Sequence, residues 1–207
     1  MPAETVLFLP GASGNLDFWR PVSERLRHPG ARRFIGYPGL GGVPVDEEVS
    51  RLDDLITWVT RAMTGPVDLV AQSMGGIVAV RAALEKPELV RRLVLTATSG
   101  GIDLSSFGAV DWRPEFRARN PGAPGWFMDD CTELSTRLHE ITVPVLLIWG
   151  DSDPISPVAV GERLAELLPR SELVVLNGGT HDLAFERADE VAALIERHLQ
   201  REHLHGL

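Results

Sequence analysis

Cysteine is almost missing from this 207-residue chain: Cys131 stands alone, so no internal disulfide can form and a reducing compartment fits the composition. Basic residues are outnumbered, 20 Lys and Arg against 29 Asp and Glu, for a formal charge of -9. That balance argues against a nucleic-acid or anionic-membrane surface and makes a small neutral partner the easier fit. No apolar run approaches the roughly 20 residues of a membrane-spanning helix. No basic segment precedes the apolar stretch Val6 to Leu9, so neither a membrane span nor a secretory signal is expected, and the expected location is cytoplasmic. Cys and His do not cluster at metal-ligand spacing. The glycines near residue 11 lack the lysine of one phosphate-binding motif and the full spacing of the other, so neither metal nor organic cofactor is expected.

What is present describes an ordinary globular domain. Hydrophobic residues make up 44% and charged residues 24%, enough for one sizeable core and nothing to suggest two, so residues 1–207 are read as a single domain. Short apolar runs recur at Val6 to Leu9, Phe34 to Tyr37, Val67 to Ala71, Leu93 to Thr96, Val145 to Trp149 and Leu173 to Leu176. Continuous rather than alternating apolarity means burial on both faces, as in a parallel sheet covered by helices. Helical spacing separates the runs, in Phe18 to Leu26, in Val49 to Met63 and in a last helix from about Ala188 to Gln200 with Val191, Leu194, Ile195 and Leu199 inward. The expected fold is a doubly wound, mostly parallel α/β sheet of about six strands with helices on both faces. Such sheets place their sites at the carboxyl ends of the strands.

One join stands out. Val67 to Ala71 reads as a buried strand and Ile77 to Leu84 as a helix, with Ser73 between them. So sharp a turn needs small groups after the serine, and Gly75 and Gly76 supply the space. Ser-x-Gly also occurs at Ser99 and Ser106, but only Ser73 has both a strand before it and a helix behind it. The helix amino end favours developing negative charge; alternatively, Ser73 simply caps that helix. Other strand ends carry Pro10-Gly11-Ala12-Ser13-Gly14, Gly150-Asp151-Ser152-Asp153-Pro154 and Asn177-Gly178-Gly179-Thr180-His181. A nucleophile, a carboxylate and an imidazole thus fall on three strand ends in the order Ser, Asp, His.

Together these segments resemble the α/β-hydrolase superfamily from Val6 to about Leu199. Ala71-Gln72-Ser73-Met74-Gly75 resembles its nucleophile elbow, Gly150 to Asp153 its acid segment, Gly178 to His181 its histidine segment, and Tyr37-Pro38-Gly39-Leu40-Gly41 its Pro-Gly-x-Gly turn. Ala71 replaces the first elbow glycine, Pro10 stands where His is usual, and the leading hairpin is missing, so the fold would be a reduced version. The resemblance implies a Ser73-His181-Asp153 triad, with Asp151 as the competing acid, and an oxyanion hole of the Ala12 and Met74 backbone N–H groups. The remaining histidines fit the pattern poorly: His28 and His139 precede the acid, while His198, His203 and His205 fall in or after the last helix.

Between residues 100 and 142 the sheet pattern lapses, where the superfamily inserts a lid. Phe107, Trp112, Trp126 and Phe127 would line an acyl or alcohol pocket, or would pack the insertion onto the domain. Cys131 is expected to be a buried small residue. The implied activity is hydrolysis of a small or medium carboxylic ester, thioester or lactone through an acyl-enzyme. The same scaffold serves C–C bond hydrolases and perhydrolases, and a ligand-binding or receptor module would also be compatible. Oligomeric state leaves no mark in the sequence.

Overall fold

A computed structural model describes residues 5–200. Six strands alternate with helices: β1 (Thr5–Leu9), α1 (Arg20–Arg25), β2 (Ala31–Phe34), α2 (Leu52–Arg61), β3 (Val67–Gln72), α3 (Met74–Glu85), β4 (Val90–Thr96), α4 (Arg113–Arg119), β5 (Val145–Gly150), α5 (Val158–Leu167), β6 (Ser171–Leu176), α6 (Leu183–Glu186) and α7 (Ala188–Gln200). The strands form one sheet in the order β2-β1-β3-β4-β5-β6, and every pairing is parallel.

Alternate residues of the central strands feed two separate cores. Leu7, Leu9, Leu69, Leu93, Leu95 and Leu147 pack with α2, α3 and α5 on one face. Val6, Phe8, Val70, Val94, Leu146 and Ile148 pack with α1, α6 and α7 on the other. Burial of both faces is why these strands are apolar along most of their length, each enclosed Leu or Ile contributing about 1.5–3 kcal/mol of transfer free energy; the charged exceptions, Asp68 in β3 and Arg91 and Arg92 in β4, pair with one another. The amphipathic α2 turns Leu52, Leu55, Ile56 and Val59 inward, at helical spacing. In α7, Val191, Ile195 and Leu199 are buried, while Leu194 is only partly covered.

The second strand lies earlier than its apolar run suggests. β2 is Ala-Arg-Arg-Phe, an edge strand whose first three residues are exposed. An edge needs little apolar surface, and charge there discourages pairing with other chains. Ile35 and Tyr37 follow the strand and enter the core from the loop. The other edge, β6, is likewise only partly covered.

Chain direction across the sheet reverses between β1 and β3, since β2 lies outside β1 while β4, β5 and β6 continue outward from β3. Loops leaving β1 and β3 therefore diverge, opening a crevice at the carboxyl edge. The connection from β4 to β5, residues 97–144, contains α4 and a 3-10 turn at Leu138–Glu140 but no strand among its described residues. No helix among the described residues is long and apolar enough to cross a membrane.

Candidate active site

Ser73 occupies the turn between β3 and α3 with φ 52° and ψ -122°. A non-glycine residue at positive φ costs about 1–3 kcal/mol and persists only where its surroundings impose it. Here they do. The Ser73 N–H donates to the Thr96 carbonyl at 3.1 Å, and its carbonyl accepts the Gly76 N–H at 2.9 Å and the Thr98 hydroxyl at 2.6 Å. The glycines after the serine provide the room expected of them. A Cβ on Gly75 would lie 2.5 Å from the Pro10 carbonyl oxygen, and one on Gly76 would lie 2.4 Å from Thr98 Oγ1. Ser73 precedes α3 but makes no side-chain capping hydrogen bond. Its hydroxyl is therefore not occupied by the capping role that a serine in this position could have.

The acid and the imidazole come from the loops after β5 and β6. Asp153 is buried, with Oδ2 2.8 Å from His181 Nδ1 and Oδ1 accepting the N–H groups of Ile155 at 2.8 Å and Ser156 at 3.0 Å. Asp151 is exposed and ties the two loops together instead, accepting the N–H of Gly178, in the loop after β6, at 2.6 Å. Of the two aspartates, the one that contacts His181 is thus Asp153. The two loops meet backbone to backbone, since a Cβ on Gly150 would lie 2.1 Å from the Gly179 carbonyl oxygen.

The loop after β1 adjoins the serine: a Cβ on Gly11 would lie 3.1 Å from Ser73 Cβ. Two buried aromatic donors hold its approach. Trp19 Nε1 donates to the Leu9 carbonyl at 3.0 Å, and the Tyr37 hydroxyl donates to the Pro10 carbonyl at 2.9 Å. These bonds anchor a loop that carries Pro10 in place of the usual histidine. Burial pushes the Tyr37 phenol well above its ordinary value, so it remains a neutral donor. Among the described residues, the N–H groups of Ala12 and Met74 donate to no other group.

Ser73, Met74 and His181 border one cavity of about 480 Å³. No hydrogen bond joins the Ser73 hydroxyl to the His181 ring among the described residues. Catalytic hydrogen bonds often tighten only when substrate is bound. Trp112 and Phe127 contribute to the cavity wall, whereas Phe107 and Trp126 do not and pack against the core. Trp112, Phe116, Trp126 and Phe127 form a cluster, with Trp112 stacked on Phe127 at 6.2 Å and Trp126 edge-on to Phe127 at 5.4 Å. Cys131 corrects the sequence reading: it is exposed and borders the cavity. The irregular segment has no repeating inward face there: Leu134 turns into the core, while the Cys131 thiol turns outward to donate to the Asp129 carbonyl at 3.5 Å.

Two buried hydroxyl residues, Thr98 beneath the elbow and Ser156 in the cavity wall, escaped the sequence reading. Thr98 and Ser156 are buried and hydrogen-bonded to the elbow and the acid loop, but neither belongs to a motif that would mark it. His28, His139 and His198 do not border the cavity, and His203 and His205 lie outside the described residues. No group of three or more His, Cys, Asp or Glu among the described residues is placed to hold a metal ion.

A parallel sheet with helices on both faces and a serine on a strained strand-to-helix turn defines a class, and the sequence comparison agrees with it. Residues 6–194 match the alpha/beta hydrolase family, to which the chain belongs. The chain is 25% identical over 240 residues to a poly(3-hydroxyalkanoate) depolymerase of Ectopseudomonas oleovorans, covering 95% of this chain and 84% of that protein. It is 24% identical to a pimeloyl-(acyl-carrier protein) methyl ester esterase of Neisseria meningitidis serogroup C, with 91% of each covered. Among solved structures, the enol-lactonase of Burkholderia xenovorans LB400 superposes with a TM-score of 0.80 at 18% identity, covering 97% of this chain and 93% of that one.

Proposed function

We propose that the protein is a serine hydrolase that cleaves a small or medium carboxylic ester, thioester or lactone through an acyl-enzyme on Ser73. The observation that carries this reading is the 2.8 Å contact of His181 Nδ1 with the buried Asp153 carboxylate, in a cavity that Ser73 also borders. The carboxylate fixes the proton on Nδ1 and leaves Nε2 as the base. A serine hydroxyl is a poor nucleophile until such a base removes its proton.

In this mechanism Nε2 takes the Ser73 proton as Oγ attacks the carbonyl carbon. The resulting oxyanion is received by the Met74 and Ala12 N–H groups, each worth roughly 3 kcal/mol in comparable sites. His181 then passes its proton to the departing alcohol, thiol or ring oxygen. Water repeats the sequence and frees the acid. These steps call for neither metal nor organic cofactor.

The cavity volume suits a small-molecule substrate. Trp112 and Phe127 supply apolar wall, consistent with segment 97–144 acting as a short cover. Two of the relatives carry names that refer to a methyl ester and to an enol-lactone. The open Ser73-His181 pair keeps a second reading in play, a ligand-binding module that does not turn its ligand over. Steady-state assay with p-nitrophenyl acetate separates them: the enzyme turns it over and Ser73→Ala reduces the rate at least about 10³-fold. Turnover that survives Ser73→Ala overturns the proposal.

A further inference from the structure

Around the cavity, whose wall includes Ser156, hydrogen bonds close into a circuit that runs from the elbow to the acid, to the base and back. The Thr98 hydroxyl donates to the Ser73 carbonyl at 2.6 Å and accepts the Gly100 N–H at 3.0 Å. The Thr98 carbonyl accepts the Ser156 hydroxyl at 3.2 Å, and Ser156 Oγ accepts Trp149 Nε1 at 3.2 Å. The Ser156 N–H donates to Asp153 Oδ1, whose other oxygen meets His181 Nδ1. The His181 carbonyl accepts Gln72 Nε2 at 3.3 Å, and Gln72 is the residue before Ser73. Thr98 is 1% exposed, Ser156 2% and Gln72 4%, so water hardly competes for these bonds.

Both hydroxyl protons are committed, one to Ser73 and one to Thr98, so each bond has a fixed direction. The site of contact is also made for Thr98, because only a glycine at position 76 lets Oγ1 come so near the elbow. The carbonyl that Thr98 holds belongs to Ser73, one of two non-glycine residues at positive φ among the described residues; the other, Ala97, directly precedes Thr98.

We infer that Thr98 is a positioning residue for this hydrolase, latching the Ser73 backbone in its positive-φ conformation, and that Ser156 ties the latch to Asp153. The inference rests on the serine-hydrolase reading and goes beyond it. The spacing between nucleophile and imidazole is then set by two buried hydroxyls that take no part in the chemistry. A reacting group displaced by even 1 Å can cost about 10²-fold in rate, while substrate binding in the cavity is nearly unaffected.

The test compares Thr98→Val, which keeps the shape and removes the hydroxyl, with Thr98→Ser, which restores it, on p-nitrophenyl acetate with thermal melts alongside. The valine variant is expected to lower kcat about ten-fold or more with KM within about two-fold, and the serine variant to recover to within about three-fold of the parent. Combining Thr98→Val with Ser156→Ala is expected to cost little more than the worse single change, because the latch is already open. A kcat for Thr98→Val within about two-fold of the parent, or a serine variant as slow as the valine one, overturns the inference. Should Thr98→Val fail to fold, Ser156→Ala decides: a lower kcat at unchanged KM supports the circuit and an unchanged kcat overturns it. Failure of the serine-hydrolase reading is distinct, since the unmodified protein would then be inert; a normal Thr98→Val in an active protein removes the inference alone.

Discussion

Replacing Asp153 by Asn changes one atom at the point where the proposed mechanism is most exposed. Asp153 Oδ1 already accepts two main-chain N–H groups, from Ile155 at 2.8 Å and Ser156 at 3.0 Å. An asparagine must keep its oxygen toward those donors, because turning its amide toward them would set donor against donor. Its NH₂ group therefore faces His181, where the carboxylate oxygen stood 2.8 Å from Nδ1. A donor there forces Nδ1 to accept, so the ring proton moves to Nε2 and the base that should receive the Ser73 proton is lost. The same exchange in a serine-protease triad costs about 10⁴-fold in kcat, or roughly 5 kcal/mol. Asp151→Asn is the paired control. Its Oδ1 can still accept the Gly178 N–H, and the residue does not contact His181. Steady-state kinetics on p-nitrophenyl acetate should show a drop of about 10³–10⁴ in kcat for Asp153→Asn with little change in KM, against a change of no more than about three-fold for Asp151→Asn. Equal, mild losses for the two variants would refute the assignment.

Gly75→Ala should place a methyl group 2.5 Å from the Pro10 carbonyl oxygen and 2.7 Å from that of Leu9, backbone that cannot swing aside. The expected cost is about 2 kcal/mol, a melting temperature lower by roughly 4–8 °C, with activity falling because the displaced loop carries Ala12. Gly122→Ala, with open space around its Cβ, should melt close to the parent. Tyr37 is the chain's only tyrosine, and burial raises its folded pKa. Its contribution is complete below the unfolded value near 10 and is lost above it, as the unfolded phenol ionises while the folded one stays neutral. Urea midpoints between about pH 9 and 11 should therefore fall more steeply for the parent than for Tyr37→Phe, which should also be about 1–3 kcal/mol less stable at neutral pH because the buried Pro10 carbonyl loses its donor.

Central strands were the most legible part of the fold because burial on two faces leaves a nearly continuous apolar run, unbroken in Val145 to Trp149 and interrupted in Val67 to Ala71 only by Asp68, which is buried against Arg91 and Arg92. β2 was misplaced by three residues for the complementary reason. At an edge, Arg32 and Arg33 carry the strand, while the apolar Ile35 and Tyr37 belong to the loop beyond it. The elbow could be read because its geometry needs glycine after the serine, and glycine is visible in a sequence. Thr98 and Ser156 could not, since a buried hydroxyl in a polar circuit has the same letter as one in a surface turn. Cys131 was misread because an irregular segment has no repeating face from which residue type can tell burial: Leu134, three residues on, is buried and Cys131 is exposed. For the aromatics, composition marked the segment but not which rings face the cavity. Trp112 and Phe127 do, while Phe107 and Trp126 pack away from it.

The proposed chemistry begins with the reactivity of one hydroxyl. Treating the folded protein with a fluorophosphonate and weighing the intact chain reads that reactivity without knowledge of the natural substrate. One adduct per chain is predicted, mapped to Ser73, absent from Ser73→Ala and formed far more slowly in His181→Ala. A folded protein that stays unmodified, or one that takes the label on a different serine, would contradict it.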